Sequence, residues 1–308
     1  MMKSSDKSND KSGFQMEAEL ENKEKRPGSR LGNILLIILF LIGAGITFYP
    51  VVSKTWNHYR DQKLILEYED TVDSISEERC REILNEAIAY NEQHTSNDII
   101  DAFNQESEDY VLTHPYDTLL NPSGNMIMGY LEIPKIKVSL PIYHGISSTV
   151  LQKGVGHIEG TSLPVGGINT HTVLAGHRGL PERKLLTDLD QVKLGDKFYI
   201  SVMSETLAYE IDSITVVEPH ETEPLAIVSG EDLSTIVTCT PYGVNSHRLL
   251  VRGHRIPYIE DEKKEYDAMS TGLGLEEKLL IAGLSAFAAF VLLLLLTQKK
   301  REKHADET

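Results

Sequence analysis

The spacing of apolar positions changes along the chain, and each change marks a different kind of element. Leu31 to Val52 is an apolar run without a charged side chain, and Leu279 to Thr297 is a second, closing on Val291 and five leucines. At about 1.5 Å per helical residue, each can cross a hydrocarbon core of about 30 Å. Beyond the first run, Tyr68, Val72, Ile75, Arg79, Ile83, Ala87 and Tyr90 recur at steps of three and four, with Glu on the other face. That is helical spacing, and it predicts one or two helices continuing from the first span. His94 to Pro122 loses the pattern and reads as an irregular connector.

From Met126 the period becomes two. Ile127–Ile133, Val138–Tyr143, His171–Ala175, Lys197–Met203, Leu207–Val217, Leu233–Cys239 and Leu249–Ile256 are predicted strands, most of them separated by Gly or Pro. The pattern also predicts one short helix near Arg183 to Leu189. Seven or eight short strands with so little helix predict a mainly β fold, a closed or nearly closed β-barrel, preceded by helices and bracketed by two transmembrane helices.

Charge orients this arrangement. Lys23, Lys25, Arg26 and Arg30 precede the first span, and Lys299, Lys300, Arg301 and Lys303 follow the second. Cytoplasmic flanks carry the excess of Lys and Arg, so both termini are expected in the cytoplasm and residues 53–278 outside the cell. The Ser-, Lys-, Asp- and Glu-rich lead holds too little apolar surface to bury a core and reads as a disordered tail. A net charge of −16 argues against nucleic-acid partners, whose phosphates call for clustered cations.

The chemistry concentrates in residues 235–255, TIVTCTPYGVNSHRLLVRGHR. One predicted strand ends on Cys239, a turn-rich connector follows, and Arg248 enters the next strand. A neighbouring cation lowers a thiol's pKa and makes the thiolate a useful nucleophile. Upstream, HTVLAGHRG ends a third predicted strand at His177, an imidazole available as general acid or base. Two alternatives stand beside this reading: Cys239 as a small buried core residue, or Cys239 in a structural disulfide with Cys80, since both cysteines fall in the outer segment. The remaining histidines, His144, His157, His171, His247 and His254, show no metal-ligand spacing, and no GxSxG elbow surrounds Ser246. Neither a metal nor a cofactor is expected.

LAGHRG, then TIVTC, then NSHRLLVRGHR resemble the sortase family, and GYLEIPKI, LPIYHG and TSLPVGG with a span at each end resemble its class C, pilus-assembling branch. The resemblance covers roughly residues 60–258. It implies a sortase-type β-barrel and a cysteine transpeptidase on the outer face of a Gram-positive cell. Cys239 matches the nucleophile of the TLxTC motif, with Ile236 in place of Leu; His177 matches the family's His; and Arg248 matches the Arg that orients the peptide and stabilises the oxyanion. Thr238, beside the nucleophile, is expected to help position substrate. The implied donor is a pilin carrying an LPxTG-like sorting signal and the implied acceptor a pilin lysine amine. The alternatives are a sortase that uses a peptidoglycan cross-bridge amine, or a non-catalytic extracellular β-domain scaffold with a Cys80–Cys239 disulfide.

Class C sortases carry a lid with an Asp-Pro-aromatic triplet. Here the corresponding place reads Asp101-Ala102-Phe103, without the Pro, and His114-Pro115-Tyr116 is a second candidate. Lacking the fixed φ of Pro, a lid built on Asp101 and Phe103 is expected to be looser. Replacing both with Ala is expected to raise the peptide-cleavage rate, and an unchanged rate would remove the lid. The expected order is thus a cytoplasmic tail (1–30), a transmembrane helix (31–52), an extracellular helical segment with the candidate lid (53–122), the catalytic β-barrel (123–258), a linker (259–278), a second transmembrane helix (279–297) and a cytoplasmic tail (298–308).

Overall fold

A computed structural model describes residues 30–93, 113, 115–261 and 263–264, and near the C-terminus 278–279, 281–287, 289–290 and 296. Asp101 and Phe103 lie outside the described residues. Helix α1 spans Arg30–Ser74 and takes Pro50 within it. Its early apolar side chains, Leu39 and Ile46 among them, are exposed. It is the one helix among the described residues long and apolar enough to cross a membrane. The described residues of the second apolar run are helical.

The second helix, α2, spans Glu77–Gln93. Ser76 starts it by accepting the Arg79 N–H on its hydroxyl (3.3 Å), and Glu77 and Glu78 complement the positive end of the helix dipole. From both helices, Tyr68, Val72, Cys80, Ile83, Ala87 and Tyr90 enter the main core. The helical spacing predicted this face with one exception. Arg79 points outward to Glu82 and Glu86, and its neighbour Cys80 takes the inward position.

Among the described residues eight strands follow: β1 (Ile127–Ile133), β2 (Val138–His144), β3 (Val155–His157), β4 (Thr170–Ala175), β5 (Lys197–Val202), β6 (Glu205–Val217), β7 (Asp232–Thr240) and β8 (His247–Ile256). They close into a barrel in the order β1-β2-β3-β4-β7-β8-β6-β5. Two pairs, β2 with β3 and β4 with β7, are parallel; the others are antiparallel. A single turn of helix, α3 (Ser148–Leu151), precedes β3.

The helix expected near Arg183–Leu189 is absent. Leu180 and Arg183 exchange two backbone hydrogen bonds in a tight turn, and only Leu189–Gln191 winds, as a 3-10 turn. Leu185, Leu186 and Leu189 are nevertheless buried, so the apolar spacing belongs to a loop packed on the barrel.

The strands bury two faces. Leu131, Leu174, Phe198, Ile236, Leu249 and Val251 fill the barrel interior, while Ile146, Leu151, Ile158, Val173, Ala175, Leu225, Val237 and Leu250 form a smaller cluster outside it. Tyr68 ties α1 to the barrel: its hydroxyl donates to the Met128 carbonyl and accepts the Met203 N–H, both at 2.7 Å. Tyr68→Phe strands two buried backbone groups and is expected to cost about 1–3 kcal/mol. Urea denaturation checks this, and a loss below about 0.3 kcal/mol would mean that water replaces the hydroxyl.

Candidate active site

Three adjacent strand ends meet at one rim of the barrel. Parallel pairing of β4 with β7 runs from Thr170 opposite Asp232 to Ala175 opposite Val237. It is carried one step further by Gly176 N–H to the Val237 carbonyl (3.0 Å) and by the Thr238 hydroxyl to the Gly176 carbonyl (2.8 Å). The next residue, His177, therefore stands level with Cys239. On the other side of β7, Cys239 pairs with Arg248 of β8. Neighbouring strands lie about 4.8 Å apart, so the imidazole-, thiol- and guanidinium-bearing residues form one row across β4, β7 and β8.

Strand alternation fixes the face. Ala175, Val237 and Leu250 belong to the outer cluster and Leu174, Ile236 and Leu249 to the interior. Two residues beyond Ala175 and Val237, and two before Leu250, the row of His177, Cys239 and Arg248 continues the outer face. Cys239 and His177 are half-buried there, and Arg248 is 9% exposed. Its Nη1 donates to the Asn245 and His247 carbonyls, each at 3.3 Å, which holds the guanidinium against the β7–β8 connector. A fixed, always-charged fork beside a thiol suits both thiolate and oxyanion. Thr238 alternates to the interior and is fully buried, its hydroxyl engaged with the strand end that leads to His177.

The sequence reading missed Arg178, the residue after His177. Its Nη1 donates to the Thr240 hydroxyl at 2.6 Å and its Nη2 pairs with Asp190, so it laces the turn after β4 to the end of β7. The signal was there in GHRG, whose second cation follows the imidazole directly. The flanking glycines are dictated by close approach of the returning loop. A Cβ on Gly176 would lie 2.8 Å from the Leu186 Cδ1, and one on Gly179 would lie 2.2 Å from the Thr187 Oγ1.

Tyr116, from the second lid candidate, belongs to the core. It is fully buried, packs tilted against the Tyr90 and His157 rings and edge-on to His144, donates to the His157 carbonyl at 3.1 Å and accepts the Gly145 N–H at 3.0 Å. That ring cannot cover Cys239. Burial pushes the His157 imidazole down to about 4, so it is neutral at physiological pH and serves packing. The Cys80–Cys239 disulfide is absent too. Cys80 is buried on α2 with its sulfur 4.0 Å from the Val72 carbonyl, and Cys239 stands at the barrel rim.

The closed eight-stranded barrel is that of a known class of protein. A sequence model of the sortase domain matches residues 131–256. Sortase A of Streptococcus agalactiae serotype III (strain NEM316) is 31% identical over 117 residues, 37% of this chain and 47% of the relative, so the chain matches about half of that relative's length. Sortase D of Bacillus subtilis (strain 168) is 29% identical over 44% of this chain and 67% of its own. Among solved structures, Sortase C of Streptococcus pneumoniae, studied for catalysis and pilin substrate specificity, is 44% identical at a TM-score of 0.60, covering 64% of this chain and 98% of the other. Sortase C-1 of Actinomyces oris is 47% identical at a TM-score of 0.55, covering 59% and 99%. The chain belongs to the sortase family. Its solved neighbours are class C sortases.

Proposed function

We propose that this protein is a membrane-anchored cysteine transpeptidase that joins pilin subunits through an LPxTG-like sorting signal. The row of His177, Cys239 and Arg248 carries the reading. The Cys239 thiolate attacks the Thr carbonyl of the signal, and the charge that develops on the carbonyl oxygen falls beside Arg248. As the C–N bond breaks, His177 gives its proton to the departing Gly amine, leaving a thioester on Cys239. The neutral lysine Nζ of a second pilin then attacks the thioester and surrenders a proton to His177, forming an isopeptide bond and releasing the Cys239 thiolate beside a reprotonated His177. Thr238 and Arg178 act as positioning residues, holding the ends of β4 and β7 together. Both apolar runs serve as transmembrane anchors that keep residues 53–278 on the outer face, where pilins are exported.

The likeness to a Sortase C studied for pilin specificity, and to a Sortase C2 of a streptococcal pilus island at 47% identity, supports a lysine acceptor. The alternative acceptor is an amine of the peptidoglycan cross-bridge. Mass spectrometry of the full chain in detergent, with an LPxTG-type peptide and either a lysine-bearing pilin domain or a cross-bridge peptide, tests both. A peptide adduct on Cys239 that passes to the pilin lysine is expected. Transfer to the cross-bridge peptide alone would reassign the acceptor, and no adduct at all would end the enzymatic reading.

A further inference from the structure

Helix α1 reaches the turn that carries the catalytic imidazole. Asp61 on α1 is 5% exposed and pairs with the Arg183 guanidinium, itself 9% exposed. The same Arg183 Nη2 donates to the Lys153 carbonyl at 2.8 Å. One helical turn earlier, on the same face of α1, the Asn57 amide donates to the Glu182 carbonyl at 3.0 Å. The helix that continues the candidate membrane span therefore grips residues 182–183 at two points.

From there the link to His177 is short. Arg183 and Leu180 exchange backbone hydrogen bonds (2.9 and 3.1 Å), and Leu186 N–H bonds the His177 carbonyl at 3.2 Å. His177 thus sits in a turn closed on one side by Arg178 and Thr238 on β7, and on the other by a segment fastened to α1. A buried ion pair is a weak choice for stability, since apolar packing of the same volume does as well or better, but it selects one arrangement of the groups it joins.

We propose that Asp61 and Arg183 form a brace through which the anchor helix sets the position of His177, making both of them positioning residues for the proton transfers at Cys239. The proposal rests on His177 being the acid–base group. It has a kinetic signature, because protonation of the leaving group matters for a peptide amide and hardly at all for an activated ester whose leaving group departs as an anion. A displaced imidazole slows the first and spares the second.

The test uses the full chain in lipid nanodiscs, with Asp61→Asn, Arg183→Met, Asn57→Ala and the exchanged pair Asp61→Arg with Arg183→Asp. Acylation by an LPxTG-type peptide amide is compared with acylation by the corresponding nitrophenyl ester. Asp61→Asn is expected to slow the amide about 10- to 100-fold, the penalty of a misplaced catalytic group, and to leave the ester within about threefold. Asn57→Ala should show the same selectivity more weakly, and the exchanged pair should recover part of the amide rate. Thermal melting shows which variants fold; if Arg183→Met does not, Asp61→Asn and Asn57→Ala carry the test. Equal loss on both substrates, or no loss on either, would overturn the brace. Cys239→Ala run alongside separates the two claims: activity surviving there would sink the reading of the site itself, whatever the brace variants do.

Discussion

Replacing Cys239 by Ala is expected to lower cleavage of an LPxTG-type peptide by about 10⁴-fold or more, with the barrel melting within a few degrees of the parent chain. The size follows from the proposed thioacyl route: losing the sulfur removes the nucleophile and the intermediate together, and the chain's one other thiol is Cys80. Cys80 cannot substitute, because it is 5% exposed and packed into the core on α2. The small structural cost follows from position. Cys239 is half-buried at the penultimate residue of β7, where Ala keeps the backbone pairing with Arg248 and leaves no core cavity. The measurement is kcat/KM on an internally quenched peptide, with a thermal melt on the same sample. A variant that keeps more than about one hundredth of the activity would place the nucleophile elsewhere.

Periodicity made most of the architecture legible. The inward face of α1 and α2 was visible at 3.6-residue spacing, and seven of the eight strands at a spacing of two. Strand β3 escaped because Val155–His157 is three residues long and includes a Gly and a His, too short to show a period. The loop around Arg183 misled because Leu185, Leu186 and Leu189 are buried, and burial alone cannot tell a helix from a loop packed on a barrel. Strand order was beyond reach: β4 pairs with β7 and β6 with β8, contacts between segments far apart in sequence that no local pattern records. The row of chemical groups was different. Each residue lay beside a recognisable strand end, so its type and neighbourhood could be read before the register placed the three on one face. The contacts that hold the row were invisible for a related reason. Asp61 and Arg183 are 122 positions apart, and nothing in either local sequence names the other.

His177→Ala is expected to slow acylation by a peptide amide about 10²- to 10⁴-fold, and acylation by an activated ester far less. The imidazole stands one strand from the thiol, at the end of β4, in a turn whose glycines leave no room for larger residues against Leu186 and Thr187. Its place suits a proton donor to the amine that leaves Cys239's tetrahedral adduct. An amine must leave protonated, whereas a nitrophenolate leaves as the anion, so loss of the donor penalises only the first. Because the site is half-buried, exogenous imidazole should enter the space that Ala vacates and restore part of the amide rate in proportion to its concentration. Single-turnover acylation, read by mass spectrometry of the Cys239 adduct, distinguishes the outcomes. If amide and ester fell together and imidazole restored neither, His177 would be holding the turn or activating the thiol rather than delivering the proton, and the donor would have to be sought among the other groups at the barrel rim.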